Sequence, residues 1–455
     1  MKQFLLFLLL IPYVLFSQND ADLDNTFNSN AQNFNSQIVE NNGKIFIYSS
    51  TYVSPNYVGI LYRLNNDGTI DNSFNFSGNL NSNGYPICIE VQIDGKIIVA
   101  GAYYNSNLKS INRFNSDGTI DTSFNLYQDI ANIRAIKIQN DGKIIYGGYR
   151  PNNFGRINSD GFNDTTFLTG TNIYHSTGNN NIGITCIKID NNGKILIGGN
   201  YDRYNGTSTS GLTRLNNDGS IDNSLTTGTG FNFDWVIVKD IELQSNGKII
   251  VGGGFSSYNG SSATRLIRIN SNGTKDITFN PAVNDIVNDI EIQTDGKIIV
   301  GGDFTIATGG ISKNRLCRFN IDGTIDNTFN ILTGFNNRIT DITINSSNKI
   351  LIGGSYTTYQ GNVVNNIIRL KGTSNLSNEY FEQNKIKIYP NPVKETIYIS
   401  NTTKMEYEIF DVLGKIVLKG SGNVNQINVN SLTKGIYFLK LKNEANTINQ
   451  KFIKE

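Results

Sequence analysis

Few side chains of this sequence have the types and spacing that catalysis requires. His175 is the one histidine in 455 residues, so a histidine-based triad or a multi-histidine metal site lacks its usual components. The sequence contains no GxSxG, HExxH or P-loop motif. A carboxylate pair or a tyrosine-based lyase site is compatible with the composition. We therefore predict no catalytic residue, and a hydrolase or lyase acting on extracellular polysaccharide is the alternative.

Oxygen-bearing side chains alternate in the segment NNDGTID, where Asn65, Asp67, Thr69 and Asp71 have the types that ligate calcium. An EF-hand would also need a bidentate glutamate further along the chain, and none follows here. Aspartate and glycine at these positions are typical of a tight hairpin. We predict a turn with no metal and no cofactor, and calcium is the alternative.

Four side chains in two long, variable segments are candidates for ligand binding: Tyr174, His175, Phe233 and Trp235. Trp235 is the only tryptophan, and an indole ring can stack on a sugar or anchor a protein partner. The alternative is that Trp235 fills a gap between neighbouring structural units beneath its loop. We predict that the four side chains contribute to a binding site for an extracellular glycan or protein.

One phrase recurs throughout the region that contains these segments. RLNNDGTIDNSFN (residues 63–75) returns as RFNSDGTIDTSFN (113–125), RLNNDGSIDNSL (214–225) and RFNIDGTIDNTFN (318–330), with two looser copies. A second phrase of the type DGKIIVGG occurs seven times, at a spacing of roughly 50 residues that is typical of β-propeller blades. Each repeat predicts four short strands, with type I′ turns at the Asp-Gly and Asn-Gly pairs.

The two ends of this repeat region complement each other. The seventh repeat stops after its third strand, at residues 367–372, and no copy of the fourth strand follows. The missing strand occurs alone near the N-terminus, as LDNTFN at residues 23–28. Pairing the two ends would close a ring and remove open sheet edges. We predict an all-β chain in which residues 19–372 form a seven-bladed β-propeller closed by an N-terminal strand.

The topology of the repeat separates structural positions from variable ones. Both glycine-containing hairpins of a repeat lie on one face, and the connections that vary in length, with the four candidate side chains, lie on the other. The arginine of RLN and the aspartate of TIDN recur in every repeat. We predict that these charges bond within or between blades, because a repeated unit repeats its structural contacts.

The last part of the chain has a different pattern. After a polar linker at residues 373–384, residues 385–455 alternate apolar and polar side chains, which predicts a small immunoglobulin-like β-sandwich. Three motifs follow one another there: YPNP with Tyr389, Pro390, Asn391 and Pro392, FDVLGK with Gly414, and LTKGIYFLKL with Gly435 and Tyr437.

The two sets of motifs resemble two known families. The repeat phrases are similar to the delta-60 repeat, a β-propeller-like family of secreted bacterial proteins, over about residues 21–372. The three C-terminal motifs resemble the type A sorting domain of the type IX secretion system. That resemblance implies that the outer-membrane translocon of Bacteroidetes-type bacteria reads residues 385–455 as an address. The address is usually cleaved, and the cargo is released or attached to surface lipopolysaccharide.

The N-terminus and the composition agree with export. An apolar run over residues 4–16 predicts a signal peptide over residues 1–18, cleaved near Ser17 and Gln18, and an uncleaved anchor is the alternative. Lys plus Arg (39) nearly balance Asp plus Glu (38), which argues against nucleic-acid binding. We predict a non-enzymatic binding or scaffold protein that passes through the periplasm and becomes secreted or surface-attached, with no transmembrane helix in the mature chain.

Overall fold

In the computed structural model the chain folds into strands and turns, and the part that the structure describes contains no α-helix. That part comprises residues 19–29, 34–53, 56–76, 85–102, 109–126, 130, 132–149, 154–168, 173–174, 183–232, 238–308, 311–372, 388–399, 404–412, 414–423, 425–442 and 447–455. Two compact units, Met1–Ser374 and Asn375–Glu455, divide the chain. The predicted signal peptide, with Ser17 and Gln18, and the predicted linker lie outside the described residues.

Seven three-stranded antiparallel sheets, called sheets 1 to 7, follow one another in the described part of the first unit. They are rich in isoleucine, valine and tyrosine, which pack well on a pleated surface. Sheets 1 to 3 consist of β1 (Phe34–Asn41), β2 (Lys44–Val53) and β3 (Asn56–Leu64); β4 (Tyr85–Val91), β5 (Ile97–Ala102) and β6 (Ile111–Phe114); and β7 (Ile133–Ile138), β8 (Ile144–Gly148) and β9 (Phe154–Ile157).

Sheets 4 to 7 repeat this arrangement, with very short strands in some of the connections. The short strands are β10 (Ile173–Tyr174), β13 (Arg203–Tyr204), β14 (Thr207–Ser208), β18 (Ser257–Tyr258), β19 (Ser261–Ser262), β26 (Thr358–Tyr359) and β27 (Asn362–Val363). The sheets consist of β11 (Gly183–Ile189), β12 (Ile195–Asn200) and β15 (Leu212–Leu215); β16 (Val238–Leu243), β17 (Ile249–Gly253) and β20 (Leu266–Ile269); β21 (Val287–Ile292), β22 (Ile298–Thr308) and β23 (Ile311–Phe319); and β24 (Ile339–Ile344), β25 (Ile350–Gly354) and β28 (Ile367–Leu370).

Neighbouring sheets share the hydrophobic core. The first strand of each sheet contacts the first strand of the next, and β24 of sheet 7 contacts β1 of sheet 1, so the first strands surround a common axis. Apolar side chains fill the space between sheets, as where Ile38 of sheet 1 clusters with Leu351 and Ile367 of sheet 7. Glycines at the ends of the second strands permit this approach, because a Cβ at Gly252 would lie 2.5 Å from Cγ1 of Val287.

The fourth strand of each repeat is shorter than predicted. It forms a single β-bridge to the end of the third strand, as between Leu64 and Ile70 in sheet 1. The aspartate after the bridge ends the pairing, because Oδ1 of Asp71 accepts hydrogen bonds from the backbone N–H and the hydroxyl of Ser73 and turns the chain. Each predicted four-stranded repeat is therefore three strands and a bridge.

The N-terminal segment supplies this bridge for sheet 7, as predicted. Leu23 pairs with Leu370, and the backbone N–H of Asp24 donates to the carbonyl oxygen of Arg369 at 2.8 Å. The hydroxyl of Tyr359, which is fully buried, donates to a backbone carbonyl of the same N-terminal segment at 2.6 Å. The two ends of the repeat region are therefore joined in one sheet.

Most of the hairpins between first and second strands differ from the predicted type I′ turns. In sheet 1, Asn42 and Gly43 both have positive φ, as a type I′ turn requires. At the Asp-Gly pair of sheet 2 only Gly95 has positive φ. There Oδ1 of Asp94 accepts a hydrogen bond from the backbone N–H of Lys96, which favours a longer hairpin with a left-handed glycine. The type I′ prediction was wrong at such Asp-Gly pairs.

In the second unit the described residues form two antiparallel sheets. The strands are β29 (Ile388–Tyr389), β30 (Thr396–Ile399), β31 (Lys404–Phe410), β32 (Ile416–Asn423), β33 (Gln426–Asn428), β34 (Gly435–Lys442) and β35 (Thr447–Lys454). One sheet has the order β29-β30-β33 and the other β32-β31-β34-β35, around a core that includes Ile397, Ile409, Leu439 and Phe452. The all-β prediction is confirmed, and the immunoglobulin-like assignment stays a prediction.

Candidate functional site

The charges that recur in every repeat hold the strands and sheets together. In each sheet one aspartate oxygen, Oδ2, accepts from the arginine Nε of the third strand and from the lysine Nζ near the start of the second, at 2.6 to 2.9 Å. In the described part of the chain these triads are Lys44–Asp71–Arg63, Lys96–Asp121–Arg113, Lys143–Asp164–Arg156, Lys194–Asp222–Arg214, Lys248–Asp276–Arg268, Lys297–Asp326–Arg318 and Lys349–Asp24–Arg369.

The arginine of most triads also reaches the following sheet. Nη1 of Arg63 donates to the backbone carbonyl of Ser116 in sheet 2, and Nη1 of Arg369 in sheet 7 donates to that of Asn66 in sheet 1. The guanidinium stacks on a phenylalanine as well, with Cζ of Arg63 lying 4.8 Å from the ring centroid of Phe74. The repeated charges are structural, as their recurrence predicted.

The triads lower the pKa of their aspartates. Hydrogen bonds from Lys44 and Ser73 outweigh burial and hold the pKa of Asp71 well below its usual range. Burial alone would raise the pKa of Asp121 in sheet 2, but hydrogen bonds from its lysine, serine and arginine partners hold that pKa well below its usual range too. These carboxylates stay ionised and paired, so they are poorly suited to proton transfer.

The first strands surround a central channel that contains a cavity of about 430 Å³, the size of a small-ligand pocket. Side chains from the first strands of all seven sheets line this cavity. The channel is therefore the place where one position of each repeat meets the corresponding positions of the others. Unlike the triads, its lining changes from sheet to sheet.

One position in the first strand links several sheets to the next. At this position Gln37, Asp240, Asp289 and Asp341 each accept a hydrogen bond, at 2.5 to 3.1 Å, from a backbone N–H of the following sheet. The three aspartates belong to sheets 5, 6 and 7. They give one side of the channel an acidic wall, to which Glu291 of sheet 6 also belongs.

The opposite side of the channel has no carboxylate at that position, where sheets 2, 3 and 4 carry Cys88, Ala135 and Cys186. Cys88 is buried and Cys186 is half-buried, and both are free thiols. Burial raises the pKa of both thiols, which therefore stay protonated. The channel is chemically asymmetric about its axis.

Carboxylates of the acidic wall have raised pKa values. Burial, and then the charge of Glu242, raises the pKa of Asp240 to about 7. Burial raises the pKa of Asp341 well above its usual range, and for Glu291 burial acts first and the charge of Glu242 adds to it. Glu242 itself is paired with Lys188. The wall therefore holds protons more readily than exposed carboxylates do.

Three cations lie at the end of the channel where the first strands begin: Arg134, Lys239 and Arg338, called the cationic mouth. Arg134 and Lys239 are the additional residues of β-bulges in β7 and β16, which release them from regular pairing. The guanidinium of Arg134 lies 4.5 Å from the ring centroid of Tyr149. Its Nε has no hydrogen-bond partner among the described residues. Nε of Arg338 lies 3.4 Å from Oδ1 of Asp303.

The three cations of the mouth act on one another. Burial lowers the pKa of Lys239, and the positive charges of Arg134 and Arg338 lower it further, while Asp303 opposes them. Asp303 is the carboxylate that pairs with Arg338, and no described carboxylate lies within ion-pair distance of Lys239. The mouth therefore has an excess of positive charge.

The four side chains predicted to bind a ligand are described only in part. The backbone of Tyr174 pairs with β13, but its side chain lies outside the described residues, as do His175, Phe233 and Trp235. Their grouping into one site stays a prediction. Trp235 shortly precedes Lys239 in the sequence, so its segment leads into a strand that carries a cation of the mouth.

The cationic mouth was missed by reasoning from the sequence. Arg134 and Lys239 occupy one position of the repeat, at which sheets 4, 6 and 7 carry the uncharged residues Thr185, Asn288 and Thr340. That change from neutral to basic within an aligned repeat was the available signal. Catalytic motifs and aromatic side chains do not reveal it.

The segment NNDGTID, considered above for calcium, is a hairpin whose oxygens already have partners. Oδ1 of Asp67 accepts from the backbone N–H and the hydroxyl of Thr69, and Nδ2 of Asn65 donates to the same hydroxyl oxygen. Asp71 belongs to the triad of sheet 1. In the described ranges no group of three or more His, Cys, Asp or Glu side chains is arranged to hold a metal ion.

In the second unit, the YPNP motif lies where β29 ends. Tyr389 stacks on Tyr398 of β30, with ring centroids 5.9 Å apart. The peptide bonds before Pro390 and Pro392 are cis. Between them, Oδ1 of Asn391 accepts a hydrogen bond at 2.9 Å from a backbone N–H of β35. The motif therefore joins the start of this unit to its last strand.

The other two motifs of the second unit form a turn and a strand. Gly414, with φ of 80°, lies in the turn between β31 and β32, and Gly435 begins β34. The hydroxyl of Tyr437 donates to the carbonyl of Thr433 at 2.9 Å, and its ring stacks on Phe452. The predicted sorting-motif residues thus shape the strand ends and the core of this unit.

Comparison with known families gives two matches. Residues 387–455 match a family described as a secretion system C-terminal sorting domain. Six segments match a family described as a domain of unknown function (DUF5122) β-propeller, namely residues 40–74, 92–124, 191–225, 244–279, 293–329 and 346–376. No such segment covers sheet 3, whose connection between β8 and β9 is short. The two matches coincide with the two resemblances drawn from the motifs.

Several solved structures are similar at low identity. They include PorZ, an essential surface component of the type-IX secretion system of Porphyromonas gingivalis (15% identity, 94% of this chain and 60% of that chain, TM-score 0.45). Others are virginiamycin B lyase from Staphylococcus aureus (18%, 72% and 94%, 0.38) and a gluconolactonase from Xanthomonas campestris (13%, 62% and 83%, 0.34). The chain thus spans three fifths of the PorZ chain, and no curated protein matches it.

Proposed function

We propose that this chain, which combines repeats of the DUF5122 β-propeller family with a secretion system C-terminal sorting domain, binds an extracellular ligand at the cationic mouth of its channel. The sorting domain marks the chain for export by a type IX secretion system to the cell surface or outer membrane. The described part of the chain contains no helix of the length and hydrophobicity that crossing a bilayer requires.

One observation supports binding at this place. The charges that recur in every repeat are used in the triads, whereas Arg134, Lys239 and Arg338 break the repeat and gather around one cavity. A residue that differs from its equivalents in a repeat protein has no repeated structural role to explain it. Charged side chains around a cavity of about 430 Å³ are suited to holding a polar ligand.

The position of the mouth in the repeat favours the same function. The first strands begin there, so the connections that enter it are those whose length and composition vary along the chain. Variable connections on a rigid scaffold are where binding residues concentrate. Tyr174, His175, Phe233 and Trp235, which belong to these connections, would extend the site around a ligand held by the mouth.

Export proceeds in two steps under this proposal. The signal peptide at residues 1–18 is removed near Ser17 and Gln18 on entry to the periplasm. The translocon then recognises residues 385–455 and cleaves them as the repeat region leaves the cell. The repeat region is either released or attached to the surface.

A second candidate function is hydrolysis or elimination on an extracellular polysaccharide. The observation that favours it is the acidic wall, because raised pKa values are what a carboxyl group needs to act as a general acid. Glu291 is the best-suited group, since burial raises its pKa and no described cation pairs with it. Virginiamycin B lyase and gluconolactonase, among the similar structures, are named as enzymes.

A panel of soluble polysaccharides separates the two candidates. The purified full chain is tested for retardation in affinity electrophoresis, and the same mixtures are analysed by mass spectrometry for shortened products. Retention without products, weakened in Lys239→Gln and unchanged in Lys109→Gln, supports binding. Lys109 is a matched control because it is an exposed lysine outside the channel.

Products that disappear in Glu291→Gln would establish the enzymatic candidate instead. Retention that survives Lys239→Gln and Arg134→Gln alike would place the site elsewhere. If no polysaccharide and no surface extract of the producing cells gives either retention or products, both candidates are contradicted.

A further inference from the structure

We infer that the ligand of the cationic mouth is an acidic sugar, with the carboxylate of a hexuronate residue bound between Arg134, Lys239 and Arg338. This inference rests on the proposed binding function and adds the chemical class of the ligand. It follows from the charge of the mouth, from the chemistry of the wall behind it, and from the size of the cavity.

The mouth has the donors that a carboxylate needs. Arginine presents its N–H groups in a planar fork that matches two carboxylate oxygens, and lysine adds a point charge. Arg134 lines the cavity, and its guanidinium is held against the ring of Tyr149. Its Nε is buried, so the outer N–H groups of the guanidinium are the donors that a ligand would reach. Because that ring already restricts the guanidinium, little conformational entropy is lost when an anion binds.

The positive charge of the mouth is only partly balanced by protein groups. Asp303 pairs with Arg338 at 3.4 Å and accepts a second contact from Nδ2 of Asn288, also at 3.4 Å. Within the described ranges, Arg134 and Lys239 have no such carboxylate. One bound anion would relieve the repulsion between these two cations, so a single carboxylate fits the unmet charge.

The acidic wall determines what can accompany this carboxylate. Asp240, Asp289 and Asp341 bond to backbone N–H groups through one oxygen each, which leaves the other oxygen able to accept. Sugar hydroxyls donate to such oxygens and also accept from a protonated carboxyl such as Glu291. Any further carboxylates of a longer chain would stay on the solvent side of the mouth, because the carboxylates of the wall would repel them.

The dimensions agree with a sugar bound by its acidic end. A cavity of about 430 Å³ is near the lower end of the range for small-ligand pockets, so it admits one or a few rings and not a folded partner. A peptide C-terminus also ends in a carboxylate. However, it would offer the carboxylates of the wall about one backbone N–H per residue beside apolar side chains, whereas each sugar ring offers several hydroxyl donors.

Titration with trigalacturonate, a short hexuronate oligosaccharide, tests this inference on the full chain. Isothermal calorimetry compares trigalacturonate with its methyl ester, which has the same rings without the charges, and with a peptide whose carboxylate is C-terminal. We expect the acid to bind at least roughly tenfold more tightly than the ester or the peptide. The ester lacks the charge-assisted contact, and the peptide buries amides in place of sugar hydroxyls.

Matched variants locate the site. Arg134→Gln and Lys239→Gln should each weaken trigalacturonate binding roughly tenfold or more, and Lys109→Gln should leave it unchanged. Arg134→Lys keeps the charge but loses the planar fork, so it should bind more weakly than the native chain and more tightly than Arg134→Gln. Thermal unfolding of each variant serves as the control that distinguishes loss of binding from loss of folding.

The outcomes separate the ligand class from the proposed function. Equal binding of acid and ester, tighter binding of the peptide, or acid binding that neither glutamine variant changes would overturn the hexuronate assignment. If a neutral polysaccharide from the wider panel is retained and its retention depends on Lys239, the hexuronate assignment fails and the binding function stands. If no saccharide is retained at all, both fail.

Discussion

The triads and the channel are built from the same repeat but use their charges in opposite ways. In the triads each aspartate receives a lysine and an arginine, and its pKa falls. In the channel three aspartates face other carboxylates, and the pKa of Asp240 rises to about 7. Seven copies of one pairing indicate a structural role. A position at which the copies diverge indicates where individual repeats have acquired a role other than the structural one.

The largest loss of stability should come from removing the segment that completes the triad of sheet 7. Deleting residues 20–28 removes Leu23 from the core and leaves Arg369 buried without Asp24. It also opens a sheet edge, so we expect aggregation or a loss of several degrees in melting temperature. Size-exclusion chromatography and thermal unfolding measure both. The exposed substitution Asn25→Ala should change neither, and a monomeric deletion variant that melts with the native chain would contradict closure.

A single triad can be broken without touching the ends. Arg318 has no exposed side-chain area, and it pairs with Asp326 at 2.8 Å. Arg318→Ala should destabilise the repeat unit by about 3 to 5 kcal/mol, because the buried carboxylate of Asp326 keeps only the partly exposed Lys297 and Phe329 loses its stacking contact. Chemical denaturation provides the measurement. A loss below about 1 kcal/mol would show that the triads contribute little to stability.

The channel should respond to pH in the opposite sense from the triads. A carboxyl whose pKa is raised on folding favours the folded state most below its unfolded pKa, and that contribution is lost as the pH rises through its folded value. For Asp240 the window runs from about 4 to about 7. Asp240→Asn keeps an oxygen for the N–H of Ile290, so it should match the native chain at pH 4 and exceed it at pH 8 by roughly 2 to 4 kcal/mol.

Melting temperatures across this range, for the native chain, Asp240→Asn and Asp121→Asn, complete the comparison. The pKa of Asp121 is lowered on folding, so its contribution is present above about pH 4 and lost as the pH falls below that value. Asp121→Asn should therefore be less stable than the native chain at pH 8. If both variants shift stability in the same direction at pH 8, the contrast between triads and channel is wrong.

The smallest effect should come from the lysine of a triad. Lys297 is partly exposed, and it pairs with the same oxygen of Asp326 as Arg318 does, at 2.9 Å. Lys297→Gln should cost less than about 1 kcal/mol, because water screens the ammonium group and Arg318 remains. The same denaturation experiment measures it. If Lys297→Gln and Arg318→Ala lost equal free energy of unfolding, neither cation of a triad could partly compensate for loss of the other.

The parts of the fold that could be predicted from the sequence are those whose motifs recur along the chain. The isolated LDNTFN indicated closure because its fourth-strand motif had no third strand of its own and residues 367–372 had no fourth. The turn at Asp94–Gly95 was predicted as the wrong type because the forward bond of the aspartate side chain to Lys96 competes with the type I′ geometry. Such local competition is decided by side-chain geometry that a two-residue motif does not contain.

The candidate site was harder to predict for a different reason. Arg134, Lys239 and Arg338 are far apart in the sequence, and only the cyclic order of the sheets brings them to one cavity. Each also sits at or just before the start of a first strand, where a bulge in β7 and β16 decides which way the side chain faces. The aromatic candidates Phe233 and Trp235 were easier to notice, but they fall outside the described residues.

The joining of Leu23 to Leu370 means that the folded ring depends on the cyclic order of the repeats but not on which repeat comes first along the chain. The native ends divide one sheet into two pieces of chain, and any exposed connection between two other sheets could bear the ends equally well after circular permutation. The native division also places the closing contact between residues that are separated by nearly the whole repeat region. Because the loop-closure entropy of that contact is large while the chain between the ends is unfolded, we expect it to form after the intervening sheets.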